Sequence, residues 1–146
     1  MKRIVYLVII LLVLNYVRTS FIYYKDPFID CKIRIATSFE FSNKTIKAGM
    51  RALKFGQPEV YKEVCAKVKI IDTATACGGF GGGCYRPGTE GRIYVSTAQG
   101  AVLESAAIIV HELCHLKQQE EGRPFEENEC YAADDVIFSE LAQFEP

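Results

Sequence analysis

The spacing of apolar positions along this chain changes several times, and each change marks an element. Ile4 to Leu14 is an uninterrupted apolar run of eleven residues. From Lys32 to Ala36 the pattern alternates, with Ile33 and Ile35 against Lys32 and Arg34, which predicts a strand. The period then lengthens. Ile46, Met50 and Leu53 form a helical stripe, capped by Ser42 or Asn43 and ending near Phe55, while Lys47, Arg51 and Lys54 face solvent. Gly56 ends that helix, and Pro58 suits the first turn of the next, over residues 58–67. Strands are predicted at 68–73 and at Arg92–Ser96. Between them Gly78, Gly79 and Gly81 to Gly83 lie inside Cys77 and Cys84. That stretch lacks the Gly-Lys-Ser/Thr of a phosphate loop and reads as a hairpin tip or mobile flap. A helix from Ala101 to Gln119 stops at Gly122 and Pro124, and a last helix runs from about Glu126 to Gln143. The fold class is α+β: a small sheet followed by two longer helices packed together.

Composition narrows the class. The chain has 146 residues, 49% hydrophobic and 24% charged, which fits one folded core and excludes a disordered chain. A net charge of −1 argues against nucleic acid as a partner. Lys2 and Arg3 precede the apolar run, which is short of the roughly 20 residues of a membrane span and suits a signal-peptide core. Residues 1–20 therefore read as a signal peptide, or as a signal anchor if uncleaved, since Val17 and Thr19 flank Arg18 in a poor cleavage region. Residues 21–146 form a single domain, exported to the periplasm or secreted, with membrane contact only through 1–20 if these are retained. All six cysteines follow that segment, which predicts disulfides, and no Cys-x-x-Cys is present. Cys77–Cys84 would close the Gly-rich stretch, Cys114–Cys130 would join the facing flanks of the last two helices, and Cys31–Cys65 remains by elimination.

The only two histidines stand in His111-Glu112-Leu113-Cys114-His115. Residues i and i+4 share a helix face, so His111 and His115 can aim at one metal, while Glu112 lies about 80° round, within reach of a water there. A catalytic zinc needs a third protein ligand. In the last helix Cys130, Ala133, Val136, Ile137 and Leu141 form the expected packing face, and Glu129 lies on its border, where a carboxylate wants a partner. Glu127 and Asp134 lie on the flank away from Glu129, Asp135 points nearly opposite, and Glu126 falls in the first turn, where the helix dipole accounts for an acid. One Zn²⁺ on His111, His115 and Glu129, with Glu112 as general base, is the expected site. Tyr131 and Tyr94, then Tyr85 and Arg123, are the candidate oxyanion stabilisers.

His111-Glu-x-x-His115 with Glu129-x-x-Ala132 downstream resembles the compact gluzincin-type zinc metallopeptidases. Residues 93–95 before the helix and Gln118-Gln119 after the motif are similar to small bacterial peptidase-like domains. The resemblance spans about residues 92–141. It implies a zinc peptidase with the ligands and base just named, and a peptide or protein substrate lying along an edge strand at Arg92–Ser96. Gluzincins often carry an acid four residues after the ligand Glu; here that position is Ala133, and the acid follows at Asp134. The alternative is a catalytically silent binding or structural module of the same fold. Glu112 favours the enzyme, because a structural metal has no use for a base beside it.

Overall fold

In the computed structural model, residues 2–35, 43–72, 82–96 and 100–143 are described. Helix α1 (Lys2–Ile22) leads into a hairpin of β1 (Tyr23–Asp26) and β2 (Cys31–Ile35). The α2 (Asn43–Gly56) and α3 (Pro58–Lys67) helices follow, then β3 (Ile70–Asp72), β4 (Gly82–Tyr85), β5 (Arg92–Ser96), α4 (Val102–Glu120) and α5 (Glu127–Ala142). Among the described residues no helix is long and apolar enough to cross a membrane. The five strands lie in the order β1-β2-β3-β5-β4. The β1–β2 and β5–β4 pairs are antiparallel, and β2–β3 and β3–β5 are parallel. The predicted α+β class holds.

Alternation along the strands makes a two-layer domain. Ile33, Ile35, Ile71, Ile93 and Val95 are buried on one sheet face. Ile46, Met50 and Leu53 of α2 pack there, with Tyr61 and Val64 of α3 and Ile109 and Leu113 of α4. The other face is polar, with Arg92 bridging Asp72 at 3.1 Å. Where α2 meets α4, a Cβ on Gly49 would sit 3.1–3.2 Å from Ala106 N, Ser105 Cβ and Val102 O, so the small residue allows this close approach.

Two predicted disulfides are formed. Cys31–Cys65 ties β2 to α3, and Cys114–Cys130 ties α4 to α5, with Cα separations of 5.0 and 5.4 Å. Each cross-link in this loop range contributes about 2–4 kcal/mol. Cys84 is disulfide-bonded; its predicted partner Cys77 lies outside the described residues, as does most of the Gly-rich stretch.

Two strand readings change. Gly82 and Gly83, the end of that stretch, belong to strand β4, and the hairpin-tip or flap reading falls on residues outside the described ones. The Arg92–Ser96 strand, expected at an edge, is flanked by β3 and β4, so its hydrogen-bonding groups are used on both sides. Among the described residues the free edge on this side of the sheet belongs to β4.

Candidate metal centre

Helix α4 brings His111, Glu112 and His115 to the end of the domain where α5 begins. All three are buried, at 7%, 2% and 6% exposure. Their outward support is specific. The Nδ1 of His111 lies 2.8 Å from Asp134 Oδ2, and the Nδ1 of His115 lies 3.1 Å from Gln118 Oε1. Both partners accept, so each ring donates from Nδ1 and presents a lone pair at Nε2. The two Nε2 atoms face each other at 3.2 Å, and each is 3.3 Å from Glu127 Oε2. Three acceptors thus converge on one point, an arrangement that calls for a cation. Ligand atoms about 2.0–2.1 Å from a tetrahedral zinc lie roughly 3.3 Å apart, so these separations fit. His111, His115 and Glu127 form a group that can hold a metal ion.

Glu129, the predicted third ligand, is placed elsewhere. Its carboxylate accepts from Arg123 Nη1 and Nη2 at 2.7 and 3.0 Å, and from Gln118 Nε2 at 3.1 Å. Those bonds, Arg123 first, hold its pKa down to about 2. The correction lies in the register of α5. The stripe facing α4 is Glu127, Cys130, Asp134, Ile137 and Leu141, spaced alternately by three and four residues. Val136, assigned to that face from the sequence, is 51% exposed. Reading the stripe one turn back from Cys130 leads to Glu127, and reading it forward leads to Asp134, which partners His111 Nδ1.

Gln118 is the residue the sequence reading did not single out for a role. It is fully buried and bridges the two helices. Besides His115 and Glu129, its Oε1 accepts from Glu126 N at 3.1 Å and its Nε2 donates to Glu126 O at 3.2 Å. One amide therefore orients a histidine and fixes the backbone immediately before Glu127.

Glu112 opens onto a cleft of about 150 Å³ together with Gly83, Tyr85, His111, His115 and Phe125. Its Oε2 is the buried side-chain atom without a hydrogen-bond partner among the described residues. Burial first, then the nearby Glu127 and Asp134 carboxylates, push its pKa up to about 8. A dication among those carboxylates opposes that trend by favouring the ionised form. Gly83 makes room for this side chain: a Cβ there would meet Glu112 Oε1 at 2.3 Å and Ile108 Cγ2 at 2.6 Å. Gly83→Ala is expected to lose about 1–3 kcal/mol of stability through overpacking and to displace the carboxyl. Thermal unfolding checks this; an unaffected variant would contradict the packing.

The oxyanion candidates separate by position. Tyr94 alternates with the buried Ile93 and Val95, so it stands on the opposite sheet face, under Arg86 and away from the cleft. Arg123 is held by Glu129 and Glu121. Tyr85 lines the cleft, but its hydroxyl donates to Gln119 Oε1 at 2.7 Å. Tyr131 has its ring centroid 4.7 Å from that of His111 and remains exposed.

A second prediction concerns the outer partners. Asp134→Asn is expected to weaken metal binding about 10–100-fold, because it removes the charged acceptor that orients His111. Competition against a chromophoric chelator measures it, and undiminished affinity would remove Asp134 from the site.

Fold and site together define a two-layer α+β domain with a helix-borne His-Glu-x-x-His motif and a carboxylate from a second helix. No protein family, curated protein or solved structure matches the chain.

Proposed function

We propose that the chain is an exported zinc-dependent peptidase. The carrying observation is the convergence of His111 Nε2, His115 Nε2 and Glu127 Oε2 beside a buried Glu112 whose Oε2 has no partner. Two imidazoles and a carboxylate suit zinc, which would supply Lewis acidity and make a water more acidic. Glu112 then accepts the proton of the attacking water and delivers it to the leaving amine nitrogen as the C–N bond breaks. Tyr131, beside His111, is the candidate donor to the developing oxyanion. The extended substrate pairs with the outer edge of β4, which has no neighbouring strand among the described residues and whose Gly83 and Tyr85 line the cleft. Export is supported by Lys2 and Arg3 before the Ile4–Leu14 run and by the disulfides.

Metal analysis of purified, oxidised protein is expected to give one zinc per chain. A broad peptide library is expected to be cleaved, with activity removed by a chelator and restored by Zn²⁺. Zinc without cleavage would leave the silent-module reading; absence of both would end the metal reading.

A further inference from the structure

Positive charge is concentrated at the end of the molecule away from the cleft. Residues 1–56 contain ten basic and three acidic residues, whereas residues 57–146 contain seven and fifteen. The near-zero total therefore conceals +7 in the first part (+4 without Lys2, Arg3 and Arg18) and −8 in the second. The fold gives this asymmetry a direction. Strands β1 and β2, with α2 against them, form one edge of the sheet, while β4 and the metal cluster lie at the other.

Around β1 a shallow cleft of about 410 Å³ brings Lys25, Lys47, Arg51 and Lys54 together with Phe28 and Phe55. The two rings are 90% and 79% exposed, and Lys54 Nζ lies 5.8 and 5.9 Å from their centroids. Lys32, paired with Lys25 across the hairpin, extends the cationic surface. Of the nearby acids, Asp26 is buried and occupied by Lys54 at 2.6 Å and by the Tyr61 hydroxyl at 2.9 Å, leaving Asp30 exposed. Helix α1 leaves from this same place. Its Phe21 carbonyl accepts from Asn43 Nδ2 at 2.8 Å and Lys47 Nζ at 2.7 Å, and Ile4 to Leu14 are 50–68% exposed all round.

We propose that this edge is a docking surface for an anionic phospholipid membrane. Phe28 and Phe55 enter the headgroup layer, and Lys25, Lys32 and Arg51 meet lipid phosphates. Nucleic acid would answer the charge but not the two exposed phenyl rings; a bilayer interface answers both. The contact belongs to the domain itself and does not depend on residues 1–20. Four strand spacings separate β1 from β4, so the acidic cleft would stand roughly 19 Å from the docked edge.

The chain contains no Trp, so Phe28→Trp introduces a single reporter. The full chain carrying it is mixed with vesicles of phosphatidylcholine alone, or of phosphatidylcholine with phosphatidylglycerol. A blue shift is expected with phosphatidylglycerol only. Adding Lys25→Ala, Lys32→Ala and Arg51→Ala should abolish the shift and lower partitioning on the order of a hundredfold, with zinc content unchanged as the check on folding. Emission that stays that of an exposed indole while the protein floats with the vesicles would overturn the proposal, since α1 alone would then be the contact. An oligonucleotide bound more tightly than either vesicle, through the same three cations, would overturn it in favour of nucleic acid.

Discussion

Glu112→Gln is expected to keep zinc and to lose turnover by about 10²–10⁴-fold. The substitution preserves shape, which matters because Glu112 is 2% exposed and packed against Gly83, with Cβ room of only 2.3 Å to its Oε1. It removes the carboxylate that would accept the water proton, and it touches none of the atoms in the ligand group. Metal content and peptide turnover on the same preparation separate the two roles. A loss in kcat with little change in KM is the signature of a group needed in the transition state rather than in binding. Equal activity in both proteins would sink the hydrolase reading while leaving the metal site intact.

The second large effect distinguishes two carboxylates two residues apart. Glu127→Ala is expected to weaken zinc binding by more than the roughly 10–100-fold that an outer partner costs. It removes one of three converging ligand atoms, each within 3.3 Å of the other two. Glu129→Ala removes the Arg123 and Gln118 contacts and leaves the ligand set whole. Its effect on affinity should fall within the outer-partner range. Isothermal titration with Zn²⁺ decides between them. If Glu129→Ala lost the metal and Glu127→Ala kept it, the register of α5 would be wrong.

That register shows how far residue patterns reach. Helix α5 is apolar on a face narrow enough that Ala133 and Ile137 can be read as its centre. The observed stripe is centred instead on Cys130, Asp134 and Ile137. The difference is about 60°, a sixth of a turn at 100° per residue, and it exchanges Glu129 for Glu127. A signal was present: if Cys130 must face Cys114, positions three before and four after it face α4 as well, and both are acids. Hydrophobicity alone hid that signal, because the ligand end of an inward stripe is polar by function.

The sheet shows a different limit. Alternation identified Arg92–Ser96 as a strand, since Ile93 and Val95 must both be buried. It could not say that β4 covers its outer side, because the glycines of β4 have no side chains to produce a pattern. Gly83 is small for the sake of Glu112, which is distant in sequence, and only the packed structure reveals that reason.

Local chemistry, then, settled what lies within a helical turn or two in the chain. The i, i+4 histidines share one face by helix geometry, the intervening Glu is displaced around the axis by the same geometry, and the alternating strands and capped helices imply an α+β domain. The pairing of Cys114 with Cys130 was also legible, because the two lie on facing flanks of the last two helices, whereas Cys31–Cys65 followed only by elimination. What spans elements was decided by tertiary packing: which acid completes the ligand group, which partner orients each imidazole, which strand is the edge, and where the positive half of the chain ends up. Each depends on the rotation of one element about its own axis or on its neighbour in the sheet. A rotation of about 100° exchanges adjacent residues, and no local pattern resolves that angle when functional polar groups interrupt the apolar stripe.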